Sequence, residues 1–315
     1  MQHIFGPVPS RRLGQSLGIN NIPPKICSYS CIYCQLGRAD RMTVEREPFF
    51  EPAELYNELE ERLEQTKKRS ETVDFSTFVP DGEPTLDSRL GDEIELCSAL
   101  PTKIAVITNS SLLGDPDVRD ALKKADWVSC KVDSVTEAVW RRVDRPHKKL
   151  SLESILEGLK SFAGEYNGTL VTETMLVSGV NDMEEETEKT AEFISGIAPD
   201  VAYIGVPTRP PAVSWVTPPE EHVINRTFQI FSSTGLNTEY LLGFPVGEFG
   251  STGSLKEDLL NITSVHPMGE DDVEGFLKRN NAEWNIVDEL LEEKRLTTAE
   301  YGGKRFFMRK MKTNA

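Results

Sequence analysis

The sequence predicts an α/β protein: a partial (β/α)6-type parallel barrel over residues 1–243, a linker over 244–254, and a small winged helix-turn-helix-like domain over 255–315. Three observations carry this reading. Short β-rich runs alternate with segments of helical periodicity through the first 243 residues, and repeated strand–helix units build a parallel sheet with helices outside. After Gly243 the run Phe-Pro-Val-Gly-Glu-Phe-Gly-Ser-Thr-Gly-Ser carries no helical period and reads as a linker or lid. Beyond it, three helical segments precede two strand-like runs turned at Gly302-Gly303, the order of a winged helix.

An early strand is expected near Ser16–Asn20. Residues 51–68 place apolar residues at helical spacing and Pro52 near the first turn. Asp74 to Val79 reads as a buried strand, followed by a helix around 87–99 and strand 103–108, Lys-Ile-Ala-Val-Ile-Thr. A helix at 115–124 precedes strand 127–132. Helix 151–164 opens at a serine with glutamate two residues on. Strand 169–177, helix 184–196, strand 201–206, helix 218–232 and strand 237–243 complete the series. The tail reads as helices 255–262, 271–279 and 284–293, then a hairpin from Arg295 to Met311. Six or seven strand–helix units are too few for an eightfold barrel and suit an open one, whose working residues belong at the C-terminal ends of the strands.

With 315 residues, 38% hydrophobic and 27% charged, the composition is that of a soluble globular protein. No stretch approaches a membrane span and no apolar signal core opens the chain. The expectation is a cytoplasmic protein without a membrane partner. A formal net charge of −16 disfavours a nucleic-acid binder with a wholly basic surface, but not one with a local basic patch.

Chemistry concentrates first in Cys27, Cys31 and Cys34, spaced C-x3-C-x2-C. Three thiolates on so short a loop can take three corners of a cubic iron–sulfur cluster. The fourth iron then has no protein ligand, and an open coordination position is what metal chemistry on a substrate needs. A zinc knuckle would need a fourth ligand close by, whereas Cys97 and Cys130 fall in other predicted elements. Five cysteines without a secretory signal argue against disulfides.

The strand ends come next. Strand 74–79 runs into Pro80-Asp81-Gly82-Glu83-Pro84-Thr85. Gly82 lets backbone approach a ligand, and Pro84 fixes an extended turn from which carbonyls and the Glu83 carboxylate can face an ammonium. Thr108 and Asn109 can hydrogen-bond a carboxylate or a ribose; taken alone, an N-cap or Asx turn before the following helix is the stronger reading. Lys131 and Asp133 point the same way from an extended segment. Lys131 would meet a carboxylate and Asp133 a hydroxyl, or the two form a mutual surface ion pair. Arg141, Arg142 and Arg145 before His147 read either as a clamp for an acidic or phosphorylated substrate or as a solvated helix end. Glu173, in an apolar strand, calls for a partner. Arg209, within Pro207-Thr208-Arg209-Pro210-Pro211, suits the edge of an adenine or substrate pocket. Cys130 stands at a strand end where it would face the site, and Cys97 reads as helical core.

The cysteine spacing with Tyr33 just before the third cysteine, and the Gly82-Glu83-Pro84 turn, resemble the signatures of the radical S-adenosylmethionine (radical SAM) superfamily. Asp81 stands where the family often has glycine. Together with Gly6-Pro7-Val8-Pro9-Ser10-Arg11-Arg12-Leu13-Gly14, Val143-Asp144-Arg145-Pro146-His147 and the Arg209 segment, the likeness extends over about residues 5–245. It is similar to a subgroup related to the wyosine-base synthases that modify tRNA, without the cysteines of their second cluster. The resemblance implies one 4Fe–4S cluster on Cys27, Cys31 and Cys34, and SAM held by Tyr33, Gly82, Glu83, Pro84, Thr108, Asn109, Lys131 and Asp133. It implies an electron from flavodoxin or ferredoxin, cleavage of the sulfonium, and hydrogen abstraction from a substrate at the barrel mouth. Glu83 and Asp133 are expected to serve SAM without building the fold.

Three functional classes follow. In one, the radical enzyme acts on tRNA or a peptide, with Lys304, Arg305, Arg309, Lys310 and Lys312 around Phe306 and Phe307 as a basic docking wing. Residues 255–315 nevertheless hold 10 basic and 12 acidic residues, so the tail is not basic overall. In the second class the substrate is a small molecule and the tail is structural. In the third the cluster is the sensor of a redox-sensing regulator; a full set of cofactor-like strand ends argues against it.

Overall fold

The computed structural model describes residues 3–241, 254–265, 267–301 and 303–310. Strands β1 (Ile4–Ser10) and β2 (Gly14–Ile19) form an antiparallel hairpin at one sheet edge. Two short parallel strands, β3 (Ile26–Cys27) and β4 (Arg41–Met42), bracket the cysteine loop. From β2 the main sheet continues through β5 (Phe75–Phe78), β6 (Lys103–Thr108), β7 (Trp127–Lys131), β8 (Thr169–Met175), β9 (Val201–Gly205) and β10 (Thr238–Leu241). Its order is β1-β2-β5-β6-β7-β8-β9-β10, and every pairing after the first is parallel. Helices α1 (Pro52–Lys68), α2 (Leu90–Cys97), α3 (Pro116–Leu122), α4 (Glu137–Val143), α5 (Leu152–Glu165), α6 (Glu184–Ile197) and α7 (Glu221–Ser233) lie in the connections. Phe5 and Leu241, from opposite ends of the sheet, line one cavity. The sheet therefore curls, yet among the described residues β1 and β10 do not pair.

Two elements depart from expectation. The parallel set has seven strands, the upper of the two numbers expected, but an unexpected strand, β1, precedes it. Pro7 and Pro9 hide β1 in the sequence, because proline is excluded from central strands; at an edge, with the register shift seen between Phe5 and Val8, it is tolerated. Helix α4 was expected only as an arginine-rich end, and its seven residues are too short for a periodic signal.

The main core fills the space between sheet and helices. Leu17, Phe78, Val106, Val128 and Ile204 meet Leu59, Ile94, Phe162 and Phe231 there. Cys130 belongs to this layer and is fully buried. The expectation that it faces the site is corrected: it shares the pleat side of Val128 and Val132, opposite Lys131. Cys97 is core, as read from the sequence. The other face of the sheet is apolar toward the strand starts, with Leu13, Ala105, Trp127, Val171 and Tyr203 clustered together. Along the same pleat it turns polar toward the strand ends, at Lys131 and Glu173.

The tail has its own core. Helix α8 (Leu255–Val265), β11 (Met268–Gly269), α9 (Glu270–Arg279), α10 (Asn285–Glu292), β12 (Leu296–Tyr301) and β13 (Lys304–Arg309) follow in that order. Their strands form a separate sheet, β11-β13-β12. Leu259, Phe276, Val287, Leu290 and Phe307 are buried together, and Val8 of β1 packs against them. Phe306 and Phe307 are 1% and 0% exposed. Phe307 belongs to the tail's core, and its neighbour Phe306, on the opposite face of β13, is buried as well. Apart from Ser254, the expected linker 244–254 lies outside the described residues, as do Gly302 and Lys312. Among the described residues no helix is long and apolar enough to cross a membrane.

Gly158 marks the tightest seam between α5 and the β6–α3 connection: a Cβ there would stand 2.2 Å from the Leu113 carbonyl oxygen. Backbone cannot give way as a side-chain tip can. Gly158→Ala should lower unfolding stability by about 1–3 kcal/mol, read as an earlier urea midpoint with an unchanged slope.

Candidate active site

The cysteine loop begins at Cys27 and is fixed by the residues between its cysteines. Tyr29 is buried, and its hydroxyl accepts a hydrogen bond from Trp140 Nε1 at 3.0 Å. Ile32 is buried with Val143, Val177, Val180 and Val216. The Ser30 and Ile32 amides donate to the carbonyls of Asp144 (3.0 Å) and Val143 (2.9 Å), and the His147 amide donates to Ser28 (2.9 Å). Residues 140–147 are therefore the scaffold of the loop. Of the arginines read as a clamp or a solvated helix end, Arg141 pairs with Glu137 on the surface at 2.6 Å and Arg142 is exposed, as a solvated helix end would be.

This leaves Cys27, Cys31 and Cys34 half-buried and free. Burial pushes the Cys27 thiol up to about 12, with Glu83 adding to the effect. Burial and then Asp144 hold Cys31 well above the usual thiol range, and burial raises Cys34. Unaided, these thiols stay protonated at neutral pH; a coordinated metal ionises them outright. Among the described residues no three His, Cys, Asp or Glu side chains are grouped to hold a single metal ion. A cubic cluster makes a different demand, since each sulfur binds its own iron at its own corner. Three free thiols on one fixed loop, with Cys34 on the wall of an open cavity, fit that demand.

The Gly-Glu-Pro turn is packed directly on this loop. The Glu83 amide donates to the Ile26 carbonyl at 3.2 Å, and a Cβ on Gly82 would come within 2.0 Å of the same oxygen. Glu83 is 1% exposed. Its Oε1 accepts from the Thr85 amide (3.1 Å), Thr85 Oγ1 (2.6 Å) and Thr108 Oγ1 (2.6 Å), and its Oε2 accepts from the Asn109 amide (2.7 Å). Burial raises the carboxyl, and these donors pull it back. Asn109 continues the chain of contacts, donating from Nδ2 to Ser28 Oγ at 3.0 Å and reaching Cys27 Sγ at 3.5 Å. Pro84 opens a single 3₁₀ turn, and its carbonyl accepts from Asn21 at 3.3 Å. The expectation that Glu83 leaves the fold untouched is corrected: it ties the ends of β5 and β6 to each other.

Asp133 is tied in as well. Its Oδ1 accepts from the Met175 amide at 2.7 Å and its Oδ2 from the Tyr33 hydroxyl. Lys131 does not pair with Asp133. Its ammonium lies 4.9 Å over the Tyr33 ring and 3.8 Å from Glu173. Glu173 finds the partners its burial requires in Arg12, Lys131 and Ser129. Asp144, quoted in a sequence motif but given no role, accepts from Cys31 Sγ at 3.4 Å, and burial with the neighbouring Asp133 holds its carboxyl well above the ordinary range.

Between these groups and the sheet lies a cavity of about 370 Å³ whose walls include Tyr33, Cys34, Lys131, Glu173, Met175 and Arg209. Part of its lining, Asp81, Lys131, Met175 and Pro207, lies at or just beyond the strand ends, where parallel barrels bind their ligands.

A family model described as the radical SAM superfamily matches residues 21–194, more than half of the chain. The chain belongs to the radical SAM superfamily. The UPF0026 protein MJ1312 of Methanocaldococcus jannaschii is 45% identical over 311 residues, covering 98% of this chain and 96% of its own. A radical SAM methyltransferase from Sphaerobacter thermophilus superposes with a TM-score of 0.51 at 14% identity, over 71% of this chain and 66% of that one, and shares the fold. Archaeal TYW1 gives a TM-score of 0.48 at 16% identity, over 70% and 72% of the two chains. The protein is a radical SAM enzyme, and membership in that superfamily implies a 4Fe–4S cluster and SAM.

Sequence reasoning brought the cysteine loop, the Gly-Glu-Pro turn, Thr108-Asn109 and Lys131–Asp133 to one place, and the structure groups them. It gave no role to Asp144, Arg11 or Arg12, whose only signal was their place in short quoted motifs.

Glu83→Gln sets an amide NH2 against at least one inward donor. It should cost about 1–3 kcal/mol of unfolding stability, measured by urea titration of the apoprotein. Gly82→Ala should instead push Ile26 and the cysteine loop outward. Its expected result is less iron bound per chain after anaerobic reconstitution than in the parent.

Proposed function

We propose that this is a one-cluster radical SAM enzyme whose substrate is a small molecule held in the concave cavity. Cys27, Cys31 and Cys34 would hold the 4Fe–4S cluster, with Asp144 and Asn109 beside two of the sulfurs. The cluster and SAM supply one-electron reductive cleavage of the sulfonium and abstraction of a hydrogen atom, the electron coming from flavodoxin or ferredoxin. Gly82, Glu83 and Pro84 shape the turn that receives the methionine ammonium, and one acceptor direction of Glu83 Oε2 remains for it. Lys131 offers its charge to the cofactor carboxylate. Asp133, oriented by Tyr33 and the Met175 amide, is placed for a hydroxyl, while Thr108 and Asn109 set the height of the turn. Met175 and the apolar strand starts keep water from the floor of the cavity.

The observation that carries this reading is the loop itself: its spacer residues are fixed by packing while its three cysteines stay unbridged and half-buried, with Cys34 on the cavity wall. A tRNA or peptide substrate finds less support. The helix–strand–helix–helix–strand–strand order of 255–309 favours reading the tail as a winged helix, but Phe306 and Phe307 are buried and Val8 seats the tail against β1. Both facts support a structural tail beside the cavity.

Anaerobically reconstituted protein with dithionite and SAM should form 5′-deoxyadenosine, and Cys31→Ala should abolish it along with the visible absorbance of the cluster. Full iron content and undiminished 5′-deoxyadenosine in the variant would remove the assignment of the three ligands.

A further inference from the structure

We propose that the cations flanking the cysteine loop form the landing surface for an acidic one-electron carrier protein. The inference rests on the cluster reading given above and adds the face by which the electron enters. Eight of the chain's 35 basic residues, but only two of its 51 acidic ones, fall within residues 25–42 and 141–149. The chain as a whole has a net charge of −16, so this sign is local to the two segments.

The fold brings the two segments together against the loop. The Ser30 amide donates to the Arg145 carbonyl at 3.2 Å, and the Asp40 amide to the Lys25 carbonyl at 3.0 Å. Ser30 Oγ accepts from the Ala39 amide at 3.4 Å, and Lys149 reaches across to Glu45 at 2.6 Å. Of the two acids, Asp144 is buried and Asp40 lies 3.9 Å from Lys25. Arg41 and Arg141 hold the surface partners Glu47 and Glu137, each at 2.6 Å. Exposed pairs of this kind contribute little, so they can be exchanged for a new partner. Arg38, Arg142 and Lys148 are exposed, and with Arg145 they form no ion pair among the described residues. The residues outside the described ones include a single acid, Glu248, too few to reverse the sign of this surface.

Two features choose the partner. Met42 is 37% exposed and stands opposite Cys27 in the β3–β4 register. An apolar contact bordered by charge suits a small, transient redox interface, and this one lies against the strand that opens the cysteine loop. None of the eight cations lines the cavity, whereas Tyr33, Cys34 and Leu36 do. Electron and substrate therefore reach one loop by different faces, and a tRNA held on these cations would sit apart from the cavity in which its base must react. Two acidic proteins repel each other, so a local basic surface both steers their encounter and fixes its orientation. The step moves one electron: the carrier is oxidised by one, the cluster is reduced by one, and no bond is made or broken.

The test uses full-length, anaerobically reconstituted protein with reduced flavodoxin, reduced ferredoxin or dithionite as the donor. Binding of oxidised flavodoxin, titrated calorimetrically without SAM, should weaken steeply as salt rises. Arg38→Glu combined with Lys148→Glu should weaken it about tenfold. The flavodoxin concentration that half-saturates 5′-deoxyadenosine formation should rise by the same factor, while the dithionite-driven rate stays at that of the parent. Lys67→Glu combined with Lys103→Glu, an equal change of charge at the strand starts, should leave both unaltered. Equal flavodoxin binding by the parent and the Arg38 and Lys148 variant overturns the inference. So does binding that ignores salt, or a parent that neither carrier can drive. Rates that fall alike with dithionite and flavodoxin would assign the two cations to the loop itself and overturn it as well. Bulk tRNA bound by the parent and lost in the variant, with flavodoxin binding unaffected, would give the surface to RNA instead. A parent that forms no 5′-deoxyadenosine even with dithionite overturns the radical reading and not the surface alone.

Discussion

The buried carboxylate of Glu83 is the tie on which the site depends. A carboxylate out of contact with water must find donors, and this one finds four, from Thr85, Thr108 and Asn109. Those donors lie on the connection that leaves β5 and at the end of β6 and the residue after it, so satisfying one buried charge sets the relative height of two strand ends. The constraint then spreads by contact. Asn109 reaches Ser28 and Cys27, and Gly82 allows its turn to lie against Ile26. The cysteine loop is thus held from one side by a polar network and from the other by Tyr29 and Ile32 in apolar seats.

The division of labour within that loop has a general reason. A loop whose thiols are reserved for a ligand cannot also draw its ordering energy from them, so that energy has to come from the spacer residues. Tyr29 and Ile32 bring an aromatic and an aliphatic side chain to the α4 segment, where Trp140 and Val143 receive them. The short α4 helix and the motif after it act as structural support for chemistry that lies elsewhere in the sequence.

Much of this was legible in the chain, and the gaps have physical causes. Parallel strands buried on both faces read as apolar runs, so β5 to β10 were found close to their observed limits. β1 was missed because its prolines suit an edge, and edges carry no sequence flag of their own. The C-x3-C-x2-C spacing marked the thiols because short-range spacing survives folding unchanged. The partners of Glu173 could not be read, since Arg12 is far from it in sequence and meets it only when the sheet curls. The same holds for the arginines of the cavity: the sequence drew attention to Arg141, Arg142 and Arg145, clustered along the chain, whereas the fold clusters Arg11, Arg12 and Arg209.

The edges of the main sheet, unpaired with each other among the described residues, give the cavity a mechanical character. Among the described residues hydrogen bonding runs from β1 to β10 and stops there, so the described wall is a curled ribbon with a seam. Phe5 of β1 and Leu241 of β10 still share the lining of one cavity. The two margins therefore meet through side chains and the space between them, not through a common backbone ladder, and that join can give way without breaking a single strand pair.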